Sequence, residues 1–264
     1  MIDTMDARLR GIEWRDLRDL SGREVVHELT LSAPWLAGSL AAAAWGHWVP
    51  AFACSFMFFL TGLRQAHNAQ HYALGLPRVA TDGVMLALSI AMLGSMHAVQ
   101  TNHLRHHRFC LEEEDVEGMS ARMPAWRAIA LGPLFPLRLH RQALAVASIR
   151  QRRWIHAELA ANVVWIVVAL GLLEVTWLRY HVAAMAAGQC LTAFFAVWTV
   201  HHGCERLRGP IARTIRGRVK ALISYDMFFH VEHHLYPAVP TCRLPVLARR
   251  LDAASPELAA RRVF

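Results

Sequence analysis

The sequence predicts an all-α integral membrane protein, with four transmembrane helices in two hairpins and a cytosolic helical cap holding a histidine-rich site for two metal ions. Three observations predict it. Of the 264 residues 55% are hydrophobic, above the roughly 45–50% of soluble domains, and mean hydropathy is positive. The apolar residues gather in long runs, where a spanning helix needs about 20. Eight of the sixteen histidines fall in three short clusters: His67/His71, His103/His106/His107 and His230/His233/His234.

Taken in order, the chain reads as one domain over residues 1–264. Residues 1–30 are polar and basic, with Ile12, Trp14 and Leu17 on one side, and predict an interfacial lead-in with no cleavable signal. From Leu31 to Leu63 the chain is almost wholly apolar and is broken near Gly46-His47-Trp48-Val49-Pro50. This predicts a helical hairpin with spans at 31–48 and 50–66, the second continuing past the membrane to carry His67 and His71. Residues 78–101 fit either a span or a partly embedded helix leading into the second cluster. Residues 121–153, with arginines and Pro124, Pro133 and Pro136, predict an interfacial segment. Two further spans are expected at 157–177 and 182–200, leaving histidine-bearing cytosolic segments at 67–156 and 201–264.

Charge sets the expected orientation. The formal net charge is +8, and Lys220 is the single lysine. Residues 1–30, 101–156 and 203–264 hold five, nine and eleven basic residues, whereas the 46–50 turn holds none and the 174–181 turn one. The positive-inside rule then places both termini and the middle segment in the cytoplasm, as for a bacterial inner-membrane protein. All three histidine clusters fall on that side. Because the basic residues flank apolar runs, they point away from nucleic acid and towards anionic lipid or an acidic protein partner. The cysteines, Cys54, Cys110, Cys190, Cys204 and Cys242, are odd in number and contain no C-x-x-C, so reduced thiols are expected rather than disulfides or a structural zinc site.

Residues three and four apart share a helix face, so each cluster aims its imidazoles at one point. Neutral imidazole ligates iron, zinc, copper and nickel. Eight such ligands exceed what one tetrahedral zinc needs and fit two ions, and two irons so held can activate O2. His97 reads as a packed or interfacial histidine, and His47, His140, His156 and His181 as interfacial. Trp48, Trp154 and Trp177 fit membrane-interface belts.

The three clusters in this order, with Phe229-His230-Val231-Glu232-His233-His234-Leu235-Tyr236-Pro237-Ala238-Val239-Pro240, resemble the membrane fatty acid desaturase superfamily, whose relatives include fatty acid hydroxylases and carotenoid ketolases. The resemblance runs from about Leu31 to Leu251. It implies a non-haem di-iron centre, four membrane helices, a cytosolic metal cap, O2 as co-substrate and an external electron donor. It also implies a further ligand histidine some thirty residues before the third cluster, where His202 is expected and His201 is the alternative. The first cluster has Asn68 where an acidic residue often stands. Asn68, Asp115 and Glu232 are the candidates to hold ligand imidazoles in orientation; Glu112–Glu114 read as a solvated loop.

No haem-binding H-P-G-G, no Gly-rich flavin or nicotinamide fingerprint and no cysteine cluster occurs, so electrons are expected from a ferredoxin or cytochrome docking on the basic surface that includes Arg206, Arg208, Arg213, Arg216 and Arg218. The expected activity is O2-dependent desaturation of a lipid or acyl-thioester chain. The alternatives are a hydroxylase or carotenoid ketolase on the same scaffold and, from another class, a membrane metal carrier or haem electron carrier.

Overall fold

A computed structural model of the chain describes residues 11–204 and 212–255. Within them every regular element is helical. Arg206 and Arg208 of the expected basic surface lie outside the described residues.

Helix α1 (Gly22–Thr30) starts at a capping box, in which Ser21 accepts from the Glu24 amide and Glu24 accepts from the Ser21 amide. After a tight turn comes α2 (Ala33–Ala44), with Pro34 in its first turn, where a missing N–H costs nothing. Gly46, at φ +75°, reverses the chain into α3 (Trp48–Gln70). The left-handed conformation explains the glycine at this apex. At 1.5 Å per residue the 12 residues of α2 extend only about 18 Å, against the ~30 Å of a bilayer core. The expected span 31–48 is thus a short helix packed on the 23-residue α3.

Helices α4 (Arg78–Met92) and α5 (Met96–Phe109) meet at a 110° bend. Leu93 sits there at φ +57° and Ser95 caps α5 by accepting from the Ala98 amide. The 78–101 run is therefore bent, with the second histidine cluster on its second arm. Short helices α6 (Ala125–Ala130) and α7 (Leu134–Val146) follow. Helix α8 (Ile149–Val167) continues as a π-helical turn to Leu172, and α9 (Thr176–Thr192) runs through π-helical Ala193–Trp198 to His201. The Ser148/Gln151 capping box starts α8 eight residues earlier than the expected 157.

Among the described residues two helices, Ile149–Leu172 and Thr176–His201, are long and apolar enough to cross a membrane, or three if the bent α4–α5 pair counts as one. Val163, Val164, Val167 and Leu172 on α8 and its extension are all exposed. Such a lipid-facing stripe fits a membrane-associated protein.

Helices α10 (Arg218–Ser224), α11 (His230–Leu235) and α12 (Leu244–Ala254) form the C-terminal cap. Its core joins Phe229, Val231, Leu235 and Val239 to Leu244, Leu247 and Leu251, with Leu17 packed against them. This explains the apolar letters of the third motif: they anchor α11 in the cap and leave its histidines to face the other way. A second core, with Phe58, Phe59, Met85, Met92 and Met185, holds α3, α4 and α9 together.

Candidate metal centre

Three helices bring the histidines together. Helix α3 supplies His67 and, as its C-cap, His71; α5 supplies His103, His106 and His107; α11 supplies His230, His233 and His234. Two groups form, each with its ligand nitrogens within 4.8 Å of one another: His67, His71, His103 and His233, and His106, His201, His230 and His234. His107 stands between them. Its Nε2 lies 2.9 Å from His233 Nε2 and 3.2 Å from His103 Nε2, and its ring centroid is 4.5 Å from that of His234.

At the helix end the two candidate histidines diverge. His202, the expected ligand, turns away, donating from Nδ1 to Ala121 O at 3.0 Å and stacking on Trp198. His201 instead faces the centre, its Nε2 3.0 Å from His106 Nε2 and 2.9 Å from His230 Nε2. Adjacent residues on a helix point about 100° apart, so only one of the two can face inward.

Two carboxylates fix the imidazoles of α5. Asp115 Oδ2 accepts from His106 Nδ1 at 2.8 Å, and Glu117 Oε1 accepts from His103 Nδ1 at 2.7 Å. Each bond keeps the proton on Nδ1 and turns a bare Nε2 lone pair inward. Asp115 is itself held by the amides of Leu111 and Gly118, at 2.9 and 2.8 Å. Gly118 is required here, since a Cβ would lie 2.1 Å from Asp115 Oδ2. Burial raises the Asp115 carboxyl, but the His106 bond and the two amides outweigh it and leave it below its ordinary value. Burial raises Glu117 to about 7. Cys110 lies close as well, its Sγ 3.8 Å from His106 Nε2.

The other expected orienting residues do different work. Asn68 touches no histidine by hydrogen bond; its Nδ2 donates to Glu28, and its Oδ1 accepts from Thr241 N and Oγ1 at 3.1 and 2.7 Å. Glu232 is buried, accepting from Thr214 Oγ1 and from Arg216, which also pairs with Asp252 of α12. It locks α11 to the cap. Glu113 and Glu114 are exposed. His97 packs against Trp154 and donates to Glu158 at 2.7 Å. Trp154 therefore serves as packing for His97. His140 and His181, expected at the interface, make backbone hydrogen bonds to Ser95 and Ala91, whereas His47 and His156 are exposed.

The donor set fits metal ions. Burial, reinforced by neighbouring imidazoles, holds His230, His233 and His234 well below the ordinary imidazole range, so they are neutral. His67 Nε2 and His71 Nε2 are buried without a hydrogen-bond partner. Bare nitrogens packed about 3 Å apart repel unless a cation lies among them. The two histidine groups contain imidazoles alone, although His106 also lies within 4.8 Å of Cys110 and Asp115 as a third possible ligand group. Imidazole and thiol donors suit borderline transition metals rather than calcium or magnesium.

Beside the centre is a mostly apolar cavity, with Leu63 and Ala66 of α3, Val99 of α5, and Val197 and Val200 at the end of α9 among its walls. His67, His103 and His230 form part of its lining.

Among the described residues, helices, two of them long and apolar enough to cross a membrane, set paired polyhistidine clusters beside an apolar cavity, which defines a class: membrane-associated proteins with a histidine-rich candidate metal site. Comparison with known families is specific within it: the fatty acid desaturase family matches residues 43–264, and the chain belongs to that family. No curated protein matches it.

Proposed function

We propose that the protein is an O2-dependent di-iron desaturase that introduces a C=C bond into a fatty-acyl chain, carried as a lipid or a thioester, with electrons from a ferredoxin or cytochrome. One observation carries the reading: two nitrogen-only ligand groups, bridged by His107, open onto an apolar cavity. The first ion would take His67, His71, His103 and His233, the second His106, His201, His230 and His234, with His107 positioned to serve either. Bound iron would supply the oxidising power that unactivated C–H bonds demand. Overall, one O2, two electrons and two protons are consumed, two hydrogens leave the chain, and two waters form.

The chain's own residues have separate tasks. Asp115 and Glu117 fix the tautomer and ring angle of His106 and His103. Leu63, Val99, Val197 and Val200 align the substrate and keep water from the reacting carbons. Of the basic residues expected to form a docking surface, Arg218 is exposed and favours an acidic electron donor on the cytoplasmic side, whereas Arg216 is neutralised by Glu232 and Asp252 and Arg213 is bound to the Thr199 carbonyl.

The test is lipid mass spectrometry of cells expressing the protein, beside a His233→Ala, His234→Ala control. A lipid lighter by two hydrogens that needs intact histidines supports desaturation. A product heavier by one oxygen would reassign the chain to the hydroxylases or ketolases. Haem absorption in place of histidine-bound iron would overturn the reading in favour of an electron carrier.

A further inference from the structure

Two polar atoms in the cavity wall have no hydrogen-bond partner among the described residues. Glu117 uses Oε1 for His103 Nδ1, and its Oε2 is buried and unpartnered. Thr192 Oγ1 is likewise buried and unpartnered. Both residues line the cavity, and each is only 9% exposed.

Thr192 departs from the habit of the other helical threonines. Thr30, Thr61, Thr81, Thr101 and Thr199 each donate the hydroxyl to the carbonyl four residues back, the usual way a helix satisfies this group. Thr192 stands where α9 passes into its π-helical turn, a feature that recurs at functional sites. The two walls are laced together, since Ser120, three residues after Glu117, donates to the carbonyl of Ala193 at 3.0 Å. Gln189, another polar residue of the cavity, is already committed, its Nε2 donating to Met92 O at 2.7 Å.

A buried polar group without a hydrogen bond is costly, and more so for a carboxylate. Two such atoms in one apolar cavity mark a place for a polar group of the ligand. Its chemistry follows from the acceptors. Glu117 Oε2 and Thr192 Oγ1 each need a hydrogen-bonding partner, which a plain methylene chain or a double bond does not supply. A hydroxyl donates one hydrogen bond and accepts others, and so satisfies Glu117 Oε2 and Thr192 Oγ1 together.

We propose that the cavity selects a lipid chain bearing a hydroxyl group near the carbons presented to the histidine centre, with the hydroxyl donating to Glu117 Oε2 and accepting from Thr192 Oγ1. The assignment rests on the reading of this cavity as the site of a lipid chain undergoing oxidation, and it names the substrate class as hydroxylated chains.

The test uses the purified, iron-loaded full chain under anaerobic conditions, so that binding is read without turnover. A fluorescent fatty acid is displaced by a saturated chain, by a series of mono-hydroxy chains of the same length with the hydroxyl moved along, and by the matching keto chains. One hydroxyl position should bind at least about tenfold more tightly than the plain chain, the effect of about 1.4 kcal/mol. Thr192→Val should cut that preference several-fold while Thr192→Ser retains it. Glu117→Gln keeps an acceptor for His103 Nδ1 but presents an N–H to the cavity, so the preference should shift towards the keto chain. A wild-type protein that binds plain and hydroxy chains equally overturns the hydroxyl assignment alone. So does a preference that survives in both Thr192→Val and Glu117→Gln. If no chain displaces the probe, the lipid-oxidation reading falls with it.

Discussion

Replacing Glu28 by alanine is expected to be among the most damaging changes outside the histidine centre. Glu28 is 0% exposed and Arg64 1%. Glu28 accepts from both terminal nitrogens of Arg64, the bond to Oε1 being 2.8 Å, and from Asn68 Nδ2 at 2.6 Å. Arg64 also donates from Nε to Tyr225 O at 3.0 Å. Truncation strands a buried guanidinium, and removing one partner of a buried pair costs roughly 3–5 kcal/mol. At about 2–4 °C per kcal/mol for chains of this size, the melting temperature should fall by about 6–20 °C. The loss also frees Asn68, which follows His67 and ties the first cluster to Thr241 beyond the third, so retained iron should fall too. The assay is thermal unfolding in detergent followed by tryptophan fluorescence, for Glu28→Ala, Arg64→Met and the double variant Glu28→Leu, Arg64→Met. The double variant should recover most of the loss, because no buried charge is left unpaired. If Glu28→Ala lies within about 1 kcal/mol of the native protein, the pair behaves as an exposed one and the reasoning is refuted.

Three further predictions concern the centre and its scaffold. On the proposed assignment, His201→Ala should lose about half of the bound metal by elemental analysis while His202→Ala keeps it all; the reverse result would restore His202 as the ligand. Metal-free protein should lose stability as pH falls from 6.5 towards 4. Burial lowers His71 from 6.5 to about 4, so in that window the unfolded chain takes up protons that the folded chain refuses, worth about 3 kcal/mol for His71 alone. Two groups act oppositely, their contributions being lost as pH rises: Glu117, raised by burial from 4.5 to about 7, and His106, where burial is outweighed by the Asp115 and Cys110 hydrogen bonds, which leave it well above the ordinary range. They stand against the seven other cluster histidines, all held low; melting points equal at pH 7.5 and 5 would contradict the account. Gly132→Ala should yield little folded protein by gel filtration, because its Cβ would lie 1.8 Å from the backbone oxygen of Cys190, and a native-like elution profile would show that this approach of α9 to the α6–α7 turn is dispensable.

Much of the candidate site is legible in the sequence, because its strongest signals are local. Helical spacing makes His103, His106 and His107 share a face before any tertiary contact is known, and the same holds for His230, His233 and His234. Apolar length marks the last two membrane helices, since a bilayer demands about twenty such residues whatever packs beside them. Features that depend on chain reversal and helix rotation emerge with packing alone. The choice of His201 over His202 turns on the angle at which α9 meets α5 and α11, which a pair of adjacent histidines does not encode. Glu117 reaches His103 because the loop after α5 folds back at Leu111 and Gly118, fourteen residues along the chain. Glu28 and Arg64 pair across 36 residues, and Asn68 reads as a partner for histidine until Glu28 and Thr241 are placed around it. Short-range periodicity is written into covalent geometry, whereas the partner of a buried polar atom is set by which distant segment the packed core brings beside it.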